Sequence, residues 1–364
     1  MDAAKPYKYN HVQIEITSRC NLRCRTCLYF HFEPQWVPQD LSKKVFKRIC
    51  EIAPRCRSIH LQGWGESLLR KDCFTLIRQL KKLGPKISLG SNGMVMDQDM
   101  AQDLIQSGLD SMAFSIAGVS AVQQDPLRGK GTFARAIRSI QIFTNNRRLK
   151  KQPPVLINYL LTPGNLRLLP RAMSLCSRMG IDILHPTHMV HVAARYQEKL
   201  IAYNLKSAFR WPVFRSRLAV LWSDVSLSMP SLRENLVPVC EKNPVENLFI
   251  GADGSVSPCV YLTPPLTGVF PRLFKGREIP FSRLSMGNLN QDNMDDIWDR
   301  PDYRIFRKAF KDRIRIYQKL MTGITTGFDG LDRLTKTSGR LGHLFATRYP
   351  APQPCRVCPH LYGL

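Results

Sequence analysis

The chain has 364 residues, 44% of them hydrophobic, which suits one large α/β domain plus a smaller unit and is too long for a single small core. Its formal net charge is +25, from 53 Lys and Arg against 28 Asp and Glu. Because the basic residues are scattered, this charge indicates an anionic partner or a basic solvated face without naming it. No apolar run of about 18 residues is present, so we expect no transmembrane helix. The N-terminus lacks the apolar core of a secretory signal, so we expect a cytoplasmic location. In that compartment the 11 cysteines are better explained as metal ligands than as disulfides.

The first half of the chain alternates strand-like and helix-like segments. It begins with the strand HVQIEIT, continues through the helix QDLSKKVFKRICEIAPR and the strand SIHLQG, and repeats this order as far as the strand DILHPTH. About six strands alternate with helices of about 10–15 residues, a pattern typical of βαβ units around a parallel sheet. The sequence therefore predicts an α/β fold, a partial (β/α)6 TIM-like barrel more readily than an eight-stranded one. Ligands of such folds lie at the C-terminal ends of the strands.

The second half of the chain is organised differently. After a barrel of residues 1–195, residues 196–236 show little periodicity and are expected to form a helix and a linker. Residues 237–364 are expected to form a smaller cysteine-containing domain that opens with a hairpin turning at Asp253-Gly254. A basic, partly amphipathic insert at 311–350 interrupts this domain. A lid, a docking element, a membrane-surface helix and a solvated insertion without special function are open alternatives for it.

Three cysteines follow the first strand within eight positions. The C-x3-C-x2-C spacing of Cys20, Cys24 and Cys27 lets three thiolates converge on one inorganic centre. A structural zinc ion needs a fourth nitrogen or sulfur ligand, and His31 is near enough in sequence to supply it. A [4Fe–4S] cluster instead uses three thiolates for three irons and leaves the fourth iron open for a substrate. The spacing alone leaves both alternatives open.

Further motifs at the strand ends make residues 10–195 resemble the radical S-adenosylmethionine (SAM) enzymes. GWGES is similar to the family's Gly-Gly-Glu motif, which grips the methionine amino group, and SNG is similar to its ribose- and methionine-binding turn. SIAG and PLRGKGTF follow in the family's order, the second with an arginine suited to the SAM carboxylate. The resemblance assigns SAM binding to Gly63, Trp64, Gly65, Glu66, Ser91, Asn92, Gly93, Ser115 and Arg128.

The resemblance also implies a mechanism. SAM chelates the open iron of a [4Fe–4S] cluster, an electron from the reduced cluster cleaves its S–C5′ bond, and the resulting 5′-deoxyadenosyl radical abstracts hydrogen from a substrate across the barrel mouth. Three positions depart from the family pattern: Trp64 replaces a glycine, Ala117 replaces an aspartate, and Thr26 replaces an aromatic residue that packs by the adenine. Tyr29 and Phe30 are the candidates to take the place of this aromatic residue. The resemblance identifies no catalytic residue.

A second group of cysteines lies in the C-terminal part of the chain. Cys240, Cys259, Cys355 and Cys358 provide four thiolates, the number that a closed zinc site or a fully ligated iron–sulfur cluster needs. The hairpin GSVSPC and the segment GNLNQDNMDDIWD resemble the auxiliary-cluster extension of radical SAM enzymes, called SPASM, in its shorter single-cluster form, called Twitch. The resemblance implies one auxiliary cluster, expected to be [4Fe–4S], that relays electrons, and zinc is the alternative.

Two hypotheses for function follow. The first is a radical SAM oxidoreductase or maturase of unidentified substrate. Its positive charge suits an acidic flavodoxin- or ferredoxin-like electron donor and an anionic or peptide substrate. Nucleic acid is not expected as a partner under this hypothesis. The alternative is a non-catalytic zinc-binding protein with a basic nucleic-acid-binding surface. Histidines 60, 185, 188 and 191 are expected to be structural or solvent-facing, although one of the group after the last strand is a candidate for the cavity wall.

Overall fold

The structure is a computed structural model that describes residues 7–147, 152–203, 210–220, 223–322 and 328–364. The six predicted barrel strands are present, and each pairs in parallel with the next along the chain. They are β1 (Tyr9–Ile14), β2 (Cys56–Leu61), β3 (Lys86–Ser91), β4 (Ser111–Ile116), β5 (Val155–Leu160) and β6 (Ile183–Thr187). This arrangement confirms the predicted α/β class and its partial barrel.

Helices connect these strands and cover the outer face of the sheet. They are α1 (Leu28–His31), α2 (Lys43–Ile52), α3 (Cys73–Lys82), α4 (Gln98–Gln106), α5 (Ala121–Arg128), α6 (Thr132–Asn146), α7 (Pro163–Leu166), α8 (Leu169–Arg178), α9 (Arg195–Glu198) and α10 (Arg210–Ala219). Helix α2 shows why they form: the Ser42 side chain caps its N-terminus by accepting from the Val45 backbone N–H, and Val45, Phe46 and Ile49 bury one face.

The strands alternate in character, and this alternation creates the interior cavity. On β1, Val12 and Ile14 are fully buried in the hydrophobic core, whereas His11 and Gln13 line a cavity inside the curved sheet. Successive side chains of a strand point to opposite faces, so the apolar residues pack under the helices and the polar ones face the interior. The interior of the barrel is therefore polar at many positions.

The same sheet continues into the C-terminal part of the chain. Among the described residues ten strands form this sheet, because β7 (Ser226–Leu227) pairs with β6, and β8 (Asn247–Ile250) pairs in parallel with β1. β9 (Ser255–Ser257) completes the predicted hairpin with β8, turning at Gly254, whose φ of +82° suits glycine. β10 (Val269–Phe274) and β11 (Arg277–Ser282) form a separate antiparallel hairpin, and β12 (Gly287–Asn288) pairs with β9. The cysteine-containing part thus extends one edge of the barrel.

The basic insert at 311–350 is largely helical. α11 (Met294–Asp299) precedes α12 (Pro301–Met321), and α13 (Phe328–Thr347) follows. Arg313 on α12 is buried and donates to the backbone oxygens of Val237, Pro238 and Tyr349, so the insert is bound to the segments that lead into both pairs of C-terminal cysteines. Within the described ranges no helix is both long and apolar enough to span a bilayer.

Candidate active site

The loop that carries the first three cysteines is fixed by its own side chains. The Arg23 guanidinium donates to the Cys20 backbone oxygen at 3.0 Å and to the Tyr29 hydroxyl at 2.9 Å. Tyr29 stacks on Trp36 with ring centroids 4.2 Å apart, and Trp36 Nε1 donates to the Ser18 backbone oxygen. Tyr29 is therefore committed to supporting the loop and does not take the place of the aromatic residue that Thr26 replaces.

The three thiols lie near one another. A charge on Cys24 raises the pKa of both Cys20 and Cys27, and burial is the larger effect, raising the pKa of Cys20 to about 11 and that of Cys27 to about 12. Thiols in such surroundings become thiolates when a positively charged centre binds beside them, as iron does. We call Cys20, Cys24 and Cys27 the open site.

His31 does not face the open site as a fourth ligand. Its Nε2 lies 3.1 Å from the Arg25 backbone oxygen, 3.2 Å from the Tyr196 hydroxyl and 3.0 Å from Gln197 Nε2. In the part of the chain that the structure describes, no group of three His, Cys, Asp or Glu side chains lies close enough to hold a single metal ion, so the thiols of each cysteine group are neighbours without forming a tight single-ion site. The zinc arrangement considered for this loop therefore lacks its fourth ligand.

The GWGES turn supports the loop from below through close backbone contacts. A Cβ at Gly65 would lie 2.2 Å from the Thr17 backbone oxygen and 2.7 Å from that of Arg19, so this position requires glycine. The Glu66 backbone N–H donates to the Arg19 oxygen at 2.8 Å. A Cβ at Gly63 would lie 2.4 Å from the buried side chain of Glu15. The glycines of this turn let it pack directly under the start of the cysteine loop.

The Glu66 carboxylate joins this turn to the SNG turn. It is 3% exposed, and it accepts from the Ser91 hydroxyl at 2.8 Å, from the Asn92 N–H at 2.7 Å and from the Leu68 N–H at 3.2 Å. Gly93 takes a φ of +76°, and the Asn92 amide donates to Asn21 in the cysteine loop at 2.9 Å. Burial raises the pKa of Glu66 despite these donors. The resemblance gave Glu66 to the SAM amino group, and the structure adds a positioning role within the protein.

Two further residues assigned to SAM border the interior cavity. Arg128 ends α5 and lines the cavity together with Cys27, and its charge acts to lower the pKa of Glu66, Cys24 and Cys27. Its Nε is buried without a hydrogen-bond partner, a donor free for a ligand carboxylate. Ser115, at the end of β4, lines the same cavity.

The four C-terminal cysteines come together although more than a hundred residues separate the first from the last. Charges on Cys240, Cys259 and Cys358 each raise the pKa of Cys355, and burial raises the pKa of Cys240 and of Cys259 to about 12. The Cys358 N–H donates to the Cys355 backbone oxygen, which closes the C-x2-C turn. We call these four residues the auxiliary site, and their convergence fits one fully ligated cluster.

Trp64 connects the barrel rim to the auxiliary site. Its backbone N–H donates to the Glu15 carboxylate at 2.6 Å, and its indole Nε1 donates to the Val260 backbone oxygen, next to Cys259, at 3.1 Å. The ring also packs against Tyr261, with centroids 6.3 Å apart. The departure from the family's glycine at this position thus supplies an aromatic bridge between the two cysteine groups.

A single cavity of about 850 Å³ extends from one cysteine group to the other. Cys27 of the open site and Cys259 of the auxiliary site both line it, as do Trp64 and Arg128. Six of the eight histidines of the chain also line it: His11, His60, His185, His188, His191 and His360. All four histidines that the sequence singled out, His60, His185, His188 and His191, therefore line the cavity, whereas the sequence had offered one of the group after the last strand as a candidate for its wall.

The tautomers of three cavity histidines are fixed by backbone oxygens. Nε2 of His188 and Nε2 of His191 each lie 2.8 Å from a carbonyl oxygen, and Nδ1 of His360 lies 2.9 Å from the Leu364 oxygen. A ring nitrogen that faces a carbonyl must carry the proton, so the other nitrogen of each ring is an acceptor. Those acceptors, Nδ1 of His188, Nδ1 of His191 and Nε2 of His360, are buried without partners. Burial lowers the pKa of His188 and His191, which keeps both rings neutral.

Comparisons with known proteins match both parts of the chain. Residues 14–167 match the model of the radical SAM superfamily, and residues 240–319 match the model of an iron–sulfur cluster-binding domain called SPASM. The first match contains the open site with the Glu66 and Asn92 turns. The second contains Cys240 and Cys259 and ends before Cys355 and Cys358. These matches identify the inorganic centres of the chain as [4Fe–4S] clusters and its cosubstrate as SAM.

Two curated relatives align with most of the chain. The tungsten-containing aldehyde ferredoxin oxidoreductase cofactor-modifying protein of Pyrococcus furiosus is 24% identical over 303 residues, covering 82% of this chain and 83% of the relative. The AdoMet-dependent heme synthase of Oleidesulfovibrio alaskensis is 26% identical over 330 residues, covering 80% of this chain and 75% of the relative. Among solved structures, SuiB of Streptococcus suis bound to S-adenosylmethionine has a TM-score of 0.61 at 15% identity, over 83% of this chain and 68% of that one. The last likeness supports the fold alone.

Proposed function

The chain is a radical SAM enzyme with a C-terminal SPASM-type iron–sulfur domain, and from this premise we propose that it oxidises a small substrate, or a single group of a larger one, held between its two clusters. The observation that carries the proposal is the common cavity, which Cys27 of the open site and Cys259 of the auxiliary site both line. A [4Fe–4S] cluster held by Cys20, Cys24 and Cys27 would supply the electron for reductive cleavage of SAM, which provides the radical for hydrogen abstraction from the substrate. The residues of this chain bind and orient the two reactants and exclude water.

Residues at the barrel rim are proposed to bind SAM next to the open site. Arg128 offers its unpartnered Nε to the carboxylate of the methionine moiety, and the carboxylate of Glu66 retains one acceptor position on Oε2 for the amino group. Ser91, Asn92 and Gly93 form the turn that Glu66 fixes, and Ser115 lies on the cavity wall. These assignments place SAM between the open site and the substrate cavity.

The cavity favours a substrate that donates hydrogen bonds. Its volume of about 850 Å³ lies in the range of small-molecule sites. The free acceptor nitrogens of His188, His191 and His360, joined by the unpartnered amide oxygen of Asn247, are suited to hydroxyl, amine or amide donors. Two curated relatives are named for work on a cofactor or on heme, which supports a maturation or cofactor-modifying reaction. A peptide side chain that enters the same cavity is the other substrate form. An anionic group of the substrate would meet Lys242 there, which is paired with Glu241 at 2.9 Å.

An acidic flavodoxin- or ferredoxin-like protein is proposed as electron donor. Three exposed arginines, Arg19, Arg23 and Arg25, alternate with the cysteines of the open site, and the chain carries a net charge of +25. Attraction between this surface and an acidic donor is screened by salt. SAM cleavage driven by flavodoxin should therefore slow as ionic strength rises, whereas cleavage driven by dithionite should change little. Equal salt dependence of the two rates would contradict the proposed donor.

The test of the proposed function separates the two cysteine groups. After anaerobic reconstitution, Cys24→Ala is expected to form no 5′-deoxyadenosine from SAM, because the open site loses a ligand. Cys259→Ala is expected to retain SAM cleavage, because its cluster serves the substrate step. The measurement is chromatographic detection of 5′-deoxyadenosine, with Cys50→Ala, a change on helix α2, as the matched control. Cleavage by Cys24→Ala at the wild-type rate would refute the assignment of the open site.

A further inference from the structure

Arg272 is the largest of the fully buried side chains, at 1% exposure, and it lies on β10 of the separate hairpin. Only its Nη2 has a partner among the described residues, the Val190 backbone oxygen at 3.3 Å, and its Nε and Nη1 are buried without one. Two other cations of this region are paired with carboxylates, Lys275 with Glu234 and Arg283 with Asp253, and Arg277 on β11 is exposed to solvent. Arg272 therefore carries a buried positive charge that no carboxylate of the described chain offsets.

Such a charge needs compensation. Moving an isolated guanidinium from water into a protein interior is unfavourable unless other groups compensate its charge. The Phe281 ring, whose centroid is 5.3 Å from the Arg272 guanidinium, is a cation–π partner and offsets only part of this penalty. The remaining compensation must come from negative charge that the bare polypeptide does not provide. The auxiliary site is where such a charge arises.

The position of Arg272 relative to the auxiliary site supports this source. Arg272 Nη2 donates to the Val190 backbone oxygen, and Val190 lines the cavity that Cys259 of the auxiliary site also lines. The next residue, His191, has its Nε2 2.8 Å from the Tyr261 backbone oxygen, two residues past Cys259. In agreement with this placement, the charge of Arg272 acts to lower the pKa of Cys355. A [4Fe–4S] cluster with four thiolate ligands carries a net negative charge, which increases by one when the cluster takes up an electron. An uncompensated buried cation beside four cysteines is therefore complementary to that cluster in both of its oxidation states.

Two other cations near the auxiliary site differ from Arg272. Lys242 is half-buried and paired with Glu241 at 2.9 Å, and the buried Arg313 donates to three backbone oxygens. The chain thus offers both of these partners of its own. Of the three, Arg272 is the one with two buried donors left without a partner, and these donors are available to the cluster.

We propose that Arg272 is the counter-cation of the auxiliary cluster and that it raises the reduction potential of that cluster. The inference rests on the part of the proposed function that assigns a cluster to Cys240, Cys259, Cys355 and Cys358. The reduced cluster carries the larger negative charge, so a nearby cation stabilises the reduced state more than the oxidised one. Arg272 is a positioning and tuning residue, since it acts through the cluster and not on the substrate.

The test measures the potential of the auxiliary cluster by itself. The full chain with Cys20→Ala, Cys24→Ala and Cys27→Ala retains only the auxiliary site, and its reconstituted cluster is titrated anaerobically while its absorbance and EPR signal are recorded. In this background Arg272→Met is expected to make reduction at least tenfold less favourable, a shift of about 59 mV to more negative potential for a one-electron couple. Arg272→Lys keeps the charge and should retain most of the wild-type potential.

A matched control is available in Arg307. It is also buried with an unpartnered Nη1, and its guanidinium lies 3.9 Å from the Trp298 ring centroid, with no cysteine among the groups that shift its pKa. Arg307→Met should leave the potential unchanged. Loss of about four irons in Arg272→Met, with retention in Arg272→Lys, would also support the proposal, because the charge would then be needed to bind the cluster at all.

Three results would overturn the inference: an unchanged potential in Arg272→Met, a shift in Arg272→Lys as large as in Arg272→Met, or a background variant that binds no cluster. The proposed function is tested separately by SAM cleavage in the wild-type chain, which depends on the open site. A chain that binds the auxiliary cluster and responds to Arg272→Met, but does not cleave SAM, would retain this inference and lose the proposed function.

Discussion

Replacing Glu66 by glutamine tests the role of its carboxylate with the smallest change in shape. The two oxygens accept from three donors: Oε1 from the Ser91 hydroxyl and the Leu68 N–H, and Oε2 from the Asn92 N–H. Glutamine has one acceptor oxygen and one NH2 group. Whichever way the amide is turned, one of the two oxygen positions becomes a donor that faces a donor.

The cost of the change follows from this geometry. If the amide oxygen takes the place of Oε1, Ser91 and Leu68 keep their acceptor, and the Asn92 N–H faces the new NH2 group. Leaving one buried donor unsatisfied costs about 1–3 kcal/mol. The SNG turn then moves away from the geometry that binds SAM. Since about 1.4 kcal/mol corresponds to a tenfold change in affinity, SAM should bind about 5- to 150-fold more weakly.

SAM affinity can be measured on the anaerobically reconstituted enzyme by equilibrium dialysis. Glu66→Gln should raise the dissociation constant by the factor given above while the iron content stays at the wild-type value. Glu51→Gln, an exposed change on α2, is the control and should leave the affinity unchanged. If Glu66→Gln binds SAM within twofold of wild type, the carboxylate does not position the turn, and the reasoning is wrong.

Two further predictions concern the support of the site. Gly65→Ala should destabilise the chain by about 1–3 kcal/mol in urea unfolding and reduce SAM cleavage, because its Cβ would lie 2.2 Å from the Thr17 oxygen. As a control, Gly342→Ala in α13, where a Cβ meets no atom within 4 Å, should stabilise the chain by about 0.5–1 kcal/mol. Equal effects of the two substitutions would contradict this steric argument. Burial raises the pKa of Glu15 to about 7, above its value of about 4.5 in the unfolded chain, so the folded chain binds the proton more tightly and loses stability as pH rises through this interval. Glu15→Gln lacks the titrating carboxyl group. Its free energy of unfolding relative to that of the wild type should therefore increase by about 3 kcal/mol between pH 4.5 and pH 7.5 in urea titrations. A difference between the two proteins that stays constant with pH would show that Glu15 does not titrate in this range.

Local sequence patterns were sufficient to predict the barrel and the order of its motifs. The six strands alternate with helices at the expected spacing, and the motifs that carry Glu66 and Asn92 follow strands that are neighbours in the sheet, so the turns meet at one rim. The family matches confirm the resemblance that these motifs suggested. Such features depend on residues close together in the chain, which makes them readable from spacing.

Features that depend on contacts between distant segments were not predicted. The parallel pairing of β8 with β1 brings Asn247 opposite His11, and no local pattern specifies this register. The cavity histidines had a partial signal, since His11 with Gln13, and His60 with Gln62, place polar residues at alternate positions of buried strands. Arg272 had none, because a lone arginine in a strand gives no indication of its burial or of the cysteines that lie near it.

The division of the chain at residues 196–236 and 237–364 stays a prediction. The structure shows why a sharp boundary is hard to define there: β7 and β8 extend the two edges of the barrel sheet, and Trp64 of the rim donates to Val260 beyond Cys259. The auxiliary site is therefore joined to the barrel by backbone pairing and by a side-chain bridge. This attachment fixes the distance between the two cysteine groups, which a flexible linker would leave variable.

The most direct test of one open and one closed cluster on a common cavity is EPR spectroscopy of the dithionite-reduced enzyme with and without SAM. We expect two overlapping [4Fe–4S] signals, of which SAM shifts only one. In Cys259→Ala the SAM-sensitive signal should remain, and in Cys24→Ala only the SAM-insensitive signal should remain. A single signal in the wild-type enzyme, or a SAM-dependent shift that persists in Cys24→Ala, would contradict the account.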